Sequence, residues 1–152
     1  MHGKSTKKYR IPRFIITFVA QKLRMERLEQ IKGPILNEFE VFKQKFDASL
    51  QSSNPLLGEV INFIKQRKGK MMRPMLTLLM AKLCGEIKDS TYYVAISLEL
   101  LHTASLVHDD VVDESDKRRG QSSVNAIYDN KVSVLVGDYL LATSLTNAAM
   151  TG

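Results

Sequence analysis

Tyr92-Tyr93-Val94-Ala95-Ile96-Ser97-Leu98-Glu99-Leu100-Leu101-His102-Thr103-Ala104-Ser105-Leu106-Val107 is apolar on nearly every side of a helix. A helix of that kind lies inside a protein rather than on its surface, so residues 92–107 predict the central helix of a bundle. Asp89 or Ser90 can cap it, and it continues to about residue 112. Upstream, 25–50 is helical with an interruption at Gly33-Pro34, after which Ile35, Phe39, Phe42 and Phe46 form an amphipathic stripe. Asn54 and Pro55 restart the chain into a helix to residue 66 that buries Leu57, Val60, Ile61 and Ile64. Another helix opens near Pro74 and stops at Gly85. Downstream, 114–122 is polar and reads as a loop, then a short helix near 124–128 and a longer one over 131–150. No segment alternates with period two for long enough to make a sheet, so the fold class is all-α.

The whole-chain numbers fit this reading. The 152 residues are 44% hydrophobic and 25% charged, which excludes a chain disordered throughout. Cys84 is the single cysteine and cannot form an internal disulfide, so a stapled secreted scaffold is excluded and the cytoplasm is expected. The net charge of +6 is unevenly placed. Lys4, Lys7, Lys8, Arg10, Arg13, Lys22 and Arg24 fall in residues 1–24, which hold no acid. The remainder is nearly neutral and offers no basic face to a nucleic acid. Residues 1–24 are therefore set apart as a basic extension. They read as a disordered tail before a natural start at Met25, with contact to a membrane surface as the other reading. The apolar stretch 14–20 is too short for a secretory signal.

The chemistry gathers at the end of the central helix, in His102, Asp109, Asp110 and Asp113. With His102 set at zero on a helical wheel, Asp109 and Asp113 fall about 20° to either side and Asp110 about 80° away. Two carboxylates one turn apart repel unless a cation lies between them, and hard oxygen ligands suit Mg²⁺. Acids at a helix C-terminus also oppose the helix dipole, so a solvated acidic helix end is the weaker reading. Lys117, Arg118, Arg119 and Gly120 follow, and paired arginines suit bidentate capture of a diphosphate. Upstream, Gly69-Lys70-Met71-Met72-Arg73-Pro74 sets two cations at a helix start, where free amides favour an anion.

These motifs together resemble the N-terminal half of a trans-prenyltransferase of the polyprenyl diphosphate synthase family. Asp109-Asp110-Val111-Val112-Asp113 matches its first aspartate-rich motif, followed by Arg118-Arg119-Gly120. Gly69-Lys70-x-x-Arg73-Pro74 matches a second motif, with Lys68 in place of its usual first glycine. Glu99-Leu100-Leu101-His102-Thr103 and Gly137-Asp138-Tyr139-Leu140 also fit. The resemblance covers residues 25–152 and implies the N-terminal portion of an isoprenoid-synthase-type helical bundle, acting as a homodimer. It implies a catalytic role for Asp109, Asp110 and Asp113, with Asp109 and Asp113 ligating Mg²⁺. It implies that Arg118 holds an allylic diphosphate, and that Lys70, Arg73, His102 and Arg119 hold isopentenyl diphosphate. In such a site the allylic diphosphate leaves and the neighbouring alkene attacks. Ala104 and Ser105 resemble the floor of the family's product tunnel, and their small side chains imply a long-chain polyprenyl product.

Members of that family are longer and carry a second aspartate-rich motif. After Asp113 this chain has only Glu114, Asp116, Asp129 and Asp138, so it reads as a truncated portion. Two other functions are weighed. A metal phosphohydrolase would use the His108-Asp109 doublet but leaves the arginine pair and the Gly-Lys-x-x-Arg-Pro segment without a role. A non-catalytic subunit would pack against a complete synthase.

Overall fold

The computed structural model describes residues 27–66, 69–118 and 120–151. The expected extension 1–24, together with Lys68 and Arg119, lies outside the described residues. The chain divides into two compact units, Met1–Pro34 and Ile35–Gly152. In the first, residues 27–32 are helical, with Lys32 3.5 Å from Glu29.

The second unit is all-α. After a 3-10 turn at Gly33–Ile35 come α1 (Leu36–Ser49), α2 (Pro55–Gln66), α3 (Met72–Cys84), α4 (Asp89–Val112) and α5 (Val124–Ala149). The expected loop after α4 holds a minute hairpin, β1 (Lys117–Arg118) antiparallel to β2 (Gln121–Ser122). Gly120 supplies the positive φ of 80° that this tight connection needs. These two-residue strands are the only strands among the described residues.

Local chemistry explains the boundaries. Asn54 accepts the Leu57 N–H at 3.1 Å and caps α2. α3 starts at Met72, two residues earlier than the sequence reading, because a proline in the first turn forfeits no intrahelical hydrogen bond. α4 starts at Asp89, and the flanking residue is Lys88 rather than Asp89 or Ser90; Thr91 Oγ1 accepts the Lys88 N–H at 3.2 Å. α5 is interrupted at Asp129 (φ 73°, ψ 171°), whose carboxylate accepts the Val132 N–H at 3.0 Å. A short helix followed by a longer one, as expected, is what this break produces.

α4 is the organising element: its most extensive contact is with α5, the next with α3, and α1 packs on it as well. The Ile35, Phe39, Phe42 and Phe46 stripe is buried, with Phe42 5.7 Å from Phe39 and 5.6 Å from Phe46 between ring centroids. Such ring pairs each contribute about 0.5–1.5 kcal/mol beyond area burial. Val60 and Ile61 of α2 are buried, whereas Leu57 and Ile64 are half-buried. Ion pairs tie the outer helices together: Lys82 to Glu38 at 2.6 Å, Lys65 to Asp47 at 2.6 Å and Lys45 to Asp89 at 3.3 Å.

One expectation needs correction. α4 is buried on one face only, through Tyr92, Ala95, Ile96, Leu100, Ala104, Val107 and Asp110, while Val94, Leu98 and Leu101 are 37–46% exposed. The sequence shows how apolar each face is, but not whether another element is present to cover it. No helix among the described residues is long and apolar enough to cross a membrane.

Candidate functional site

The C-terminal half of α4, the start of α3 and the hairpin converge on one cavity of about 640 Å³. Its polar wall carries Lys70, Arg73, Glu99, His102, Asp110 and Arg118; its apolar wall includes Phe46, Leu50, Ile61, Leu100, Val107 and Leu140. Cations thus meet an apolar recess, an arrangement suited to a small molecule with an anionic head and a hydrocarbon body.

The start of α3 contributes more than its two cations. Met71, just before the helix, is left-handed (φ 44°, ψ 46°), and its side chain makes no capping hydrogen bond. A non-glycine residue in that region costs about 1–3 kcal/mol, and such strain collects at functional sites. The first-turn amides of α3, with no cap from Met71, lie beside Lys70 and Arg73, where a negative charge is favoured.

The three aspartates separate sharply. Asp110 is 1% exposed, and Arg118 Nε donates to its Oδ1 at 2.7 Å. Its Oδ2 is buried and meets no partner among the described residues. The hairpin therefore returns a counter-charge to the acidic end of α4, which offsets the dipole penalty. Asp109 and Asp113 are exposed, and the Asp113 N–H donates to the Asp109 carbonyl at 2.8 Å, which keeps the two one turn apart. Neither lines the cavity. Among the described residues no three His, Cys, Asp or Glu side chains converge as a ready metal site. Two exposed carboxylates one turn apart nevertheless suit Mg²⁺, which keeps several waters and takes oxygen from a bound phosphate. The contact with Asp110 uses Nε, so it does not occupy the terminal guanidinium nitrogens of Arg118.

The structure thus brings Lys70, Arg73, His102 and Arg118 around one space and sets Asp109 and Asp113 apart from it. Ala104 is buried in the core of α4. Ser105 is exposed, and its hydroxyl donates to the His102 carbonyl at 2.9 Å. Arg119 lies outside the described residues. Sequence reasoning gave Glu99 no role in the site, although a signal was available: Glu99 and Asp110, eleven residues apart, fall about 20° apart on the helical wheel. Burial holds the Glu99 carboxyl above the ordinary carboxylate range, and the positive charge of Arg73 pulls it partly back.

The unit is all-α, with an aspartate-bearing helix beside a cavity that is walled partly by cations. The family described as Polyprenyl synthetase matches residues 54–151, and the chain belongs to that family. It is 42% identical over 116 residues to the all-trans-nonaprenyl-diphosphate synthase (geranyl-diphosphate specific) of Rhodobacter capsulatus, covering 75% of this chain and 35% of that protein. The crystal structure of a decaprenyl diphosphate synthase from Rhodobacter capsulatus superposes with a TM-score of 0.77 at 38% identity, over 82% of this chain and 39% of that one. A polyprenyl synthase from Caulobacter crescentus, crystallised with calcium and isoprenyl diphosphate, gives 0.75 at 29% identity, over 81% and 38%. The chain spans little more than a third of the length of these relatives.

Proposed function

We propose that this chain provides the isopentenyl-diphosphate-binding wall and the first metal-binding pair of a prenyltransferase that makes long-chain polyprenyl diphosphates. The observation that carries the reading is the cavity in which Lys70, Arg73, His102 and Arg118 stand against an apolar recess. Its support from the relatives is that several of them bear the names of octaprenyl, nonaprenyl and decaprenyl diphosphate synthases, although one solved structure, 51% identical, is of a geranylgeranyl pyrophosphate synthase.

In this reading Lys70, Arg73, His102 and Arg119 hold the diphosphate of isopentenyl diphosphate, and the apolar wall keeps water from its alkene. Arg118, steadied by Asp110, turns its terminal nitrogens to the allylic diphosphate. Asp109 and Asp113 would hold Mg²⁺ on that second diphosphate. When bound, the ion neutralises the leaving group's charge. The allylic carbon–oxygen bond then breaks, the alkene forms the new carbon–carbon bond, and a proton is lost. Ala104 and Ser105 are too small to close a tunnel for the growing chain. A second copy is the proposed partner, with exposed Leu135 and Leu145 of α5 available for such a contact. The free, exposed Cys84 fits the reducing cytoplasm.

The phosphohydrolase reading loses its main residue. His108 Nε2 lies 3.3 Å from the Val134 carbonyl and 3.3 Å from Asp138 Oδ1, so its ring serves the contact between α4 and α5. Calorimetry of isopentenyl diphosphate binding tests the proposal. Saturable binding by the wild-type chain, lost in the Lys70→Ala/Arg73→Ala double variant, is expected. Equal binding by the two proteins refutes it.

A further inference from the structure

The reading above leaves Glu99 unused, one of three carboxylates lining the cavity and, unlike Asp47 and Asp110, without an ion pair among the described residues. It shares that wall with Lys70, Arg73 and His102. Its Oε2 is buried and meets no hydrogen-bonding group among the described residues. A buried polar atom without a partner is unfavourable and is kept where function compensates for it. The cation that acts on this carboxyl is Arg73, through its charge rather than through a hydrogen bond. Arg73 sits on the first turn of α3 and is exposed. A long exposed side chain must give up rotational freedom before it can grip an anion. Its guanidinium also has more donors than one phosphate group uses, arranged so that two edges can be engaged at once.

We propose that Glu99 is a positioning residue for diphosphate: when diphosphate enters, the Glu99 carboxylate, which makes no ion pair with Arg73 in this structure, receives one edge of the Arg73 guanidinium and so aims the other edge at the ligand. The inference rests on the reading of Lys70, Arg73 and His102 as diphosphate ligands, and deepens it. It makes a counter-intuitive claim about sign. If Glu99 merely faces the cavity, its negative charge repels the ligand, and neutralising it tightens binding. If Glu99 holds Arg73, neutralising it weakens binding.

Calorimetry with inorganic diphosphate on the 152-residue chain separates these, with thermal unfolding recorded for every variant. Wild type should bind, and Arg73→Ala should bind more weakly. Glu99→Gln should bind about tenfold more weakly, the loss expected for one charged hydrogen bond. The Glu99→Gln/Arg73→Ala double variant should be no weaker than Arg73→Ala alone, because the two residues act as a unit. Glu99→Asp, which keeps the charge at shorter reach, should recover part of the affinity. Arg73→Lys keeps a charge but lacks the fork, and should resemble Glu99→Gln; this variant serves even if a substitution at the partly buried position 99 prevents folding. Equal or tighter binding by Glu99→Gln, additive losses in the double variant, or wild-type affinity in Arg73→Lys would overturn the proposal alone. Failure of the wild-type chain to bind diphosphate would overturn it together with the reading beneath it.

Discussion

Asp109 and Asp110 are chemically identical neighbours on α4, and burial gives them different work. Asp110 is closed off from solvent and held by Arg118, whose side chain remains 31% exposed, so removing the carboxylate forfeits a charged hydrogen bond without stranding a buried charge. Asp109 is exposed. Chemical denaturation should therefore show Asp110→Ala losing about 1.5–3 kcal/mol of stability, and Asp109→Ala staying within about 0.5 kcal/mol of wild type. In a full-length synthase carrying this segment, a turnover assay should reverse the order per folded molecule if, as proposed, Asp109 holds the metal and Asp110 acts through Arg118. Equal stability losses for the two variants would remove the basis for separating them.

At the scale of elements, the contact between α4 and α5 explains a motif whose role the sequence leaves open. A Cβ added at Gly137 would overlap the His108 imidazole, so any larger residue there requires the ring to move. The ring fills that space and reaches the Val134 carbonyl and Asp138. The same contact fixes the rotation of α4 about its axis and so which aspartate faces inward. Gly137→Ala should force His108 out of its niche and cost about 1–3 kcal/mol, the usual range for overpacking. Asp138→Asn should cost less than about 1 kcal/mol, since that pair is partly exposed. Urea midpoints of the two variants check both values, and a Gly137→Ala protein as stable as wild type would mean the helices have slack at this point.

At the scale of the whole molecule, the unit Ile35–Gly152 leaves large apolar side chains in water: Leu76 and Leu83 of α3, Val94, Leu98 and Leu101 of α4, and Leu135 and Leu145 of α5. Apolar faces on several helices at once favour association. Light scattering on purified protein should report a mass above that of one chain, lowered when Leu101 and Leu135 are replaced by Gln; a monodisperse monomer at every concentration would contradict this. The sequence by itself determined the helices, because period and capping are local: the Asn54 cap and the restart after Asp129 are set by residues within one turn, and the phenylalanine stripe by residues within about three turns. It also marked the residues proposed here to bind diphosphate, since four motifs keep their order and spacing along the chain. Only the tertiary structure decided which of those residues share a space. Lys70 and Arg73 lie some forty residues from Asp110 and Arg118, and no local rule brings them together. Nor does a helical wheel, drawn about one axis, show which side of α4 its neighbours leave open. Packing against α3 and α5 turned Glu99 and Asp110 inward, left Asp109 and Asp113 in water, and exposed the face through Val94, Leu98 and Leu101, because burial depends on what stands opposite a side chain as well as on the side chain itself.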